Sequence, residues 1–526
     1  MHRRTWTLVV AVIGSGIVFL DSTIVNVALK AIANQLPSTL VGSLEGQTYI
    51  VNGYLLTLSA LLILAGALAD RYGRRRMFLV GLAGFGAASL LCGLSPNMEV
   101  LIGARLLQGA FGALLVPTSL ALINSTYEGA ARGRAFGVWA ASTSALIVLG
   151  PPLGGFLVDS VGWPVAFLIN IPLVLVALGI AAARVDESRN EDAPRRFDWL
   201  GAAVVAVAVG GLAYGAIRGQ AQNWTDVSAW VALVLGAVAT IALAPLMLWR
   251  RDVLVPPSLF ASRNFTITNV STLLIYGALY CYSAFSAIYF QGTLGYTAAA
   301  AGLAGVPIGL GLAFFSTTFG HLAGRYGPRR FMAAGPALMA IGLLWYIRIP
   351  PDSAPWALRF DDPSTLLPPA DYLIDILPAV LLFAAGISIL VAPLTTALMT
   401  SVPVGNSGLA SAINNAISRI GPLLATAVIF IGVSASFYAV LADRAPSLDV
   451  SSPQVRHDLP PLNEPAVELA PEQLEAVRQA STDAFHLAML IAALLCAAGA
   501  AVNWAGISDP SPEARRRAAD EPVAAA

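Results

Sequence analysis

Gly66-Ala-Leu-Ala-Asp-Arg-Tyr-Gly-Arg-Arg-Arg76 returns 254 residues later as Gly320-His-Leu-Ala-Gly-Arg-Tyr-Gly-Pro-Arg-Arg330, with eight of eleven positions identical. Each copy closes one long apolar run and opens the next, so the two copies mark equivalent corners of two halves. The same offset carries the start of the first apolar run close to the start of the ninth. The chain is therefore a duplicated unit. Parallel duplications among membrane proteins place a binding site near the bilayer midplane, between the halves.

Outward from these corners the chain is apolar almost throughout. Of its 526 residues, 57% are hydrophobic and 11% charged, and the mean hydropathy is +0.73. A soluble domain carries roughly a quarter charged residues, so lipid is the solvent here. A hydrocarbon core of about 30 Å takes roughly 20 helical residues, and lipid leaves no unpaired backbone group tolerable. Fourteen such runs are expected as helices. They lie near 7–29, 48–69, 76–95, 99–125, 134–157, 163–184, 198–217, 229–249, 265–290, 299–323, 331–349, 373–400, 408–441 and 484–506. The expected fold is an all-α polytopic membrane protein. It has one six-helix bundle at 1–190, a second at 255–510, an inserted helix pair at 191–254 and a tail at 511–526. Met1-His2-Arg3-Arg4 before an apolar run has the look of a signal peptide, but Asp21 interrupts it and no small-x-small cleavage site precedes that residue. It reads as an uncleaved first span.

Basic residues orient the spans. Twenty-one of the 30 fall in segments on the side of the N-terminus and seven on the other, with Arg105 and Arg419 inside helices. This bias predicts a cell (plasma or inner) membrane protein with both termini cytoplasmic. Two polar segments, 350–372 and 442–483, then lie outside. The second carries Asp443, Asp449, Asp458, Glu464, Glu468, Glu472 and Glu475, and is expected as a solvated loop, with a gating or partner-docking lid as the sharper alternative.

Composition also excludes functions. Net charge is +0 with a pI near 6.9, so no basic field calls for nucleic acid. Cys92, Cys281 and Cys496 stand alone in apolar runs, which implies no disulfide framework and no metal site. No GxxxxGK[ST] loop is present, so no ATP drive is expected. No soluble segment is large enough to host an enzyme.

Six stretches bring a resemblance. The Gly66–Arg76 corner looks like the signature loop of the major facilitator superfamily. Leu20-Asp-Ser-Thr-Ile-Val-Asn-Val-Ala-Leu29, Arg105-Leu-Leu-Gln-Gly109, Gly150-Pro-Pro-Leu-Gly-Gly155 and Phe167-Leu-Ile-Asn-Ile-Pro172 resemble its fourteen-helix drug:proton antiporter branch. Gly408-Leu-Ala-Ser-Ala-Ile-Asn-Asn415, with Arg419 and Gly421, is similar to that branch's penultimate helix. The sequence departs from the pattern at Leu146, Pro152 and Lys30, the only lysine.

Asp21 is the most informative single residue. A carboxylate within the bilayer costs several kcal/mol unless it is paired, neutralised or wet. Such a group suits proton uptake and release; the plainer reading is an ion pair that fixes helix packing. The resemblance implies Arg105 as its charge partner, with Gln108 beside it. At the repeat corner Gly66 and Gly73 permit close approach and tight turning, while Asp70 can meet a helix N-terminus or an arginine. Asp70, Arg71, Arg74 and Arg325 are thus gating candidates as well as topology anchors. Gly324 in place of Asp70 makes the acid latch one-sided. Gly150, Pro151, Gly154 and Gly155 resemble the antiporter motif, where proline kinks and glycine allows close crossing.

Candidate substrate contacts are Asn26, Gln108, Asn269, Tyr276, Tyr280, Asn415 and Arg419. Asn415 and Arg419 share a helix face, which either lines a cavity or bonds a neighbouring helix. The tyrosines and Asn269 either meet substrate or pack helices. His486 is expected to be structural. The resemblance implies a proton-coupled antiporter that exports lipophilic or cationic drug-like compounds, with the proton gradient as energy source and no cofactor. Export of an endogenous lipid, siderophore or metabolite is the alternative transport role. A non-transporting sensor or scaffold is the alternative of another class.

Overall fold

The computed structural model describes residues 3–37, 43–190, 197–221, 226–250, 253–358 and 362–509. Arg195, Arg196, Arg251, Arg359, Arg515, Arg516, Arg517 and the 511–526 tail lie outside them. Among the described residues every regular element is helical. The long helices are α1 Arg3–Gln35, α2 Ser43–Tyr72, α3 Arg74–Gly93, α4 Met98–Thr126, α5 Gly129–Val161, α6 Asn170–Arg184, α7 Trp199–Ala221 and α8 Val227–Trp249. They continue with α9 Arg263–Gly292, α10 Val306–Tyr326, α11 Arg329–Trp345, α12 Leu377–Thr400, α13 Ser407–Arg444 and α14 Pro471–Gly506. Among the described residues, 13 helical spans are long and apolar enough to cross a membrane. α5, with 33 residues, packs between α1 and α10 and supplies the fourteenth.

The largest departure from the sequence expectation is at 442–483, which is not loop throughout. α13 runs on to Arg444, Pro453–Asp458 form a short helix, and α14 starts at Pro471. Pro471 sits at the first helical position with Glu472 in the first turn, and the Gln473 side chain accepts the Ala470 amide at 3.3 Å. These are helix-start signals, but they lie in an acidic stretch that hydropathy passes over. Leu459, Leu462, Val477 and Ala480 are buried in the core of the second half. The 350–372 segment is pinned there too, by buried Trp356 and Leu358, with the Trp356 indole donating to Thr365 O at 3.0 Å. The three cysteines are free and buried.

α2 lies against α13, and α5 against α10, which makes two seams between the halves. Both seams close on glycine pairs. A Cβ on Gly66 would stand 2.5 Å from Gly408 O, and one on Gly133 would stand 2.6 Å from Gly320 O. These contacts belong to the arginine-rich end of the molecule. One apolar cluster there mixes the halves, joining Phe78, Leu115 and Ile123 to Leu398, Met399, Leu409 and Ile413. In the same region every residue of α4 from 112 to 124 is buried, and every residue of α12 from 392 to 399. Toward the other end Asn26 and Val27 of α1 and Tyr280, Ser283 and Ala287 of α9 are exposed. The halves are joined at the arginine-rich end and parted at the opposite one.

The inserted α7 and α8 pack on each other where Gly211 meets Gly236 and Gly215 meets Ala229 and Leu233, and α7 also lies against α2 and α13. Asp198 ties off the pair's base. It accepts the Gly201 and Leu254 amides at 2.9 and 3.1 Å and pairs with Arg250.

Candidate functional site

Asp21 has no exposed surface and sits among four other helices. Arg105 on α4 donates from Nη1 to Asp21 Oδ2 at 2.5 Å. Asp21 Oδ1 accepts from Gln108 Nε2 at 2.9 Å and from Asn170 Nδ2, at the start of α6, at 3.0 Å. Gln108 also donates to Ser89 Oγ of α3 at 2.8 Å and accepts from Arg105 at 2.7 Å. Arg105 Nε donates to Ile50 O of α2 at 3.1 Å, and its guanidinium lies 4.1 Å from the centre of the Tyr54 ring. This is how a membrane protein carries a charge at depth: the ion pair has charge-assisted hydrogen bonds on both members and an aromatic face beneath the cation. Its energetic stake is large, since removing one partner of such a pair costs about 3–5 kcal/mol.

Asn170, Ser89 and Tyr54 were not legible as members of this network. Asn170 was in view within the 167–172 stretch but carried no assigned role; its signal was an amide beside Pro172 in an otherwise apolar run. Gln108, a substrate candidate by sequence, is fully buried in the network.

The second constellation is at the repeat corner. Asp70 accepts the amides of Gly408 and Leu409 at 3.1 and 2.8 Å, so its carboxylate caps the N-terminus of α13 across the seam. Arg74, 1% exposed, donates to Asp70 Oδ1 at 3.0 and 2.8 Å and to the carbonyls of Val404 and Gly405. Asn190 donates to Asn406 Oδ1 at 3.0 Å beside them. In the second copy Gly324 and Pro328 occupy the positions of Asp70 and Arg74, so the same latch has no counterpart there.

What the two copies share is the corner itself. Gly73 and Gly327 turn with φ of 110° and 90°, a region that favours glycine. Glu187 accepts the Arg75 and Arg76 amides at 3.0 Å each, and Asp509 accepts the Arg329 amide at 3.1 Å. Arg75 donates to Ala181 O and Arg329 to Trp504 O, at the ends of α6 and α14. Arg71 and Arg325 each lie over the ring of the next residue, Tyr72 or Tyr326.

A model described as the Major Facilitator Superfamily matches residues 11–426. The chain belongs to the major facilitator superfamily. It is 34% identical over 456 residues to the multidrug resistance protein Stp of Mycobacterium tuberculosis (strain CDC 1551 / Oshkosh), covering 86% of this chain and 80% of that protein. Against the methylenomycin A resistance protein of Bacillus subtilis (strain 168) it is 33% identical over 436 residues, covering 82% and 88%. Against the tetracenomycin C resistance and export protein of Streptomyces glaucescens it is 31% identical over 448 residues, covering 84% and 79%. The solved proton:xylose symporter XylE shares the fold at a TM-score of 0.55 with 14% identity, covering 96% of each chain.

The remaining candidates sit at different depths of this facilitator. Gly150 and Gly154 let α5 press on α1: a Cβ on Gly154 would stand 3.1–3.3 Å from Ile24, and one on Gly150 would overlap Thr23. Gly155 has room for a methyl group. Pro151 lies within α5. Asn26 is exposed and donates to Ser22 O at 3.0 Å. Asn269 is buried and accepts from Asn414, which also donates to Thr272, so α9 is bonded to α13 there. Asn415 donates back to Ser411 O. Tyr276 is half-buried and Tyr280 exposed. Arg419 is half-buried and makes no hydrogen bond or ion pair with any described residue. The ring of His486 donates to Ile349 O at 3.1 Å, tying α14 to the outer segment.

Proposed function

We propose that this facilitator is a proton-driven exporter that moves small lipophilic, drug-like molecules out of the cytoplasm by alternating access. One observation carries the reading. Asp21 is an acid at membrane depth, held by a single cation in a conformation whose halves meet at one end and part at the other. The arginine excess puts the joined end, with both termini, in the cytoplasm, so the conformation is outward-facing. The relatives, named for antibiotic resistance and in one case for export, support the direction and the substrate type.

The cycle is derived from the contacts. A proton from outside neutralises Asp21, and Arg105 keeps only its bonds to Gln108 and Ile50. α1 is then held less firmly to α4. α1 bears on α5 at Gly150 and Gly154, and α5 carries the seam glycine Gly133. A change at Asp21 thus reaches the line on which the bundles 1–190 and 255–510 rock. Substrate leaves outward in the protonated state. Inward opening needs the Asp70–α13 latch to part, and release of the proton to the cytoplasm resets the pair. The membrane proton gradient supplies the energy.

The test is accumulation of fluorescent lipophilic compounds in energised cells expressing wild type or Asp21→Asn at matched membrane levels. Wild type is expected to lower accumulation, and a protonophore or Asp21→Asn to abolish the difference. Export that persists in Asp21→Asn sinks the coupling role.

A further inference from the structure

Between α5, α9 and α10, in the part of the molecule where the halves separate, lies a cavity of about 340 Å³. Ser144 and Ile147 of the first half face Ser283, Ser286 and Phe290 of α9 and Ile308 of α10; the rest of the lining is Tyr282, alanine, leucine and glycine. The volume falls in the lower range of small-molecule sites. No charged residue lines it.

Two side chains in this wall are out of pattern. Serine and threonine inside helices usually bond back to the preceding turn, as Ser286 does to Tyr282 O at 2.6 Å and Thr143 to Trp139 O at 2.8 Å. Tyr282 is likewise satisfied, through the Tyr346 hydroxyl at 2.9 Å. The hydroxyls of Ser144 and Ser283 have no partner among the described residues, and they come from opposite halves. A ligand that bonds both would bridge the seam.

The ionised groups described above point one way. Asp21 has both oxygens occupied by Arg105, Gln108 and Asn170, and Asp70 is occupied by Arg74 and α13. A cation entering between the halves therefore meets no open carboxylate among these. Arg419, with no ion pair among the described residues, adds a positive charge within the membrane, and such a charge is weakly screened in a low-dielectric medium.

We infer that this cavity is a substrate subsite for uncharged lipophilic molecules bearing hydrogen-bonding oxygen, and that permanent cations bind it poorly. The inference rests on the exporter reading and narrows its substrate class. It is tested by binding rather than transport, so the two fail separately. Purified full-length protein in nanodiscs is titrated by calorimetry with triphenylphosphine oxide, neutral with one acceptor oxygen, and with methyltriphenylphosphonium, similar in bulk and cationic. The neutral compound is expected to bind about tenfold more tightly or better, a difference of about 1.4 kcal/mol. Ile147→Trp, at a position 40% exposed and so tolerant of bulk, fills the cavity and should remove that binding. Ser283→Asp should reverse the preference, a gain that misfolding cannot mimic. Equal or tighter binding of the cation to wild type overturns the inference, as does neutral binding that survives Ile147→Trp.

Discussion

Asp70 on α2 and Gly408 at the start of α13 belong to opposite halves, and the carboxylate of the first accepts the amide of the second at 3.1 Å. Asp70→Asn keeps the shape and removes the charge. The new amide donor faces the amides of Gly408 and Leu409, and Arg74 is left buried without its anion. Losing hydrogen bonds of this kind costs about 1–3 kcal/mol, which falls on the joined conformation alone. Spin labels replacing Arg134 and Tyr326, exposed at the joined ends of α5 and α10, should report a longer mean separation in Asp70→Asn. An unchanged distance distribution would show that the latch does not hold this end shut.

The seam glycines act by sterics rather than charge, so their substitution separates the two causes. A Cβ at Gly133 would meet a backbone oxygen, Gly320 O, at 2.6 Å, and backbone cannot step aside as a flexible side chain can. Gly133→Val should lower export at least as far as Asp70→Asn, with the protein still inserted in the membrane. Cysteine labelling at buried Ala392, which packs on Gly320, should rise from near zero as the seam opens. Normal export by Gly133→Val would mean that the halves close without this contact.

Much of this was legible because charge is rare in an apolar chain. Asp21, Arg105, Asp70 and the repeat stand out against lipid-facing sequence, and they proved to be assembled at the network and the corner. Neutral polar residues do not stand out. Asn170 and Ser89 complete the Asp21 shell, yet serine and asparagine occur in many spans, and Tyr54 reads as packing. The candidate substrate residues were harder still. A helix face toward lipid, toward a cavity or toward the bundle core is apolar in all three cases, so a period of 3.6 cannot sort them. Gln108 and Asn269 turned inward, while Ser144 and Ser283 have no partner among the described residues. Hydropathy also missed the first turns of α14, where an acidic helix stands clear of the apolar span.

The equivalence of the two corners can be tested across the repeat. Glu187 and Asp509 each follow the last helix of their half by three residues, and each caps the helix that begins at the corner. An anion at a helix N-terminus contributes about 0.3–1 kcal/mol. Glu187→Gln and Asp509→Asn should each lower the unfolding temperature in detergent by a small and similar step, and the double variant by their sum, since the sites are far apart in the chain and share no partner. A loss confined to one variant would show that the corners, alike in turn and cap, carry unequal loads.

Arg105→Lys tests how much of the Asp21 network is charge and how much is shape. Lysine keeps the cation but has no planar fork to reach Asp21, Gln108 and Ile50 at once, and it stacks less well on Tyr54. The strain falls on a site with no exposed surface, so water cannot repair it. The variant should unfold at a lower temperature, consistent with a loss of about 1–3 kcal/mol, and should export poorly even at high expression. The discriminating readout is proton movement. Wild type in lightly buffered detergent should release protons when substrate is added, because the proposed cycle has substrate leave when Asp21 is protonated and so bind when it is not. Arg105→Lys should show substrate binding with that proton signal lost. If the signal persists at wild-type size, the pair holds helices together and another group carries the proton.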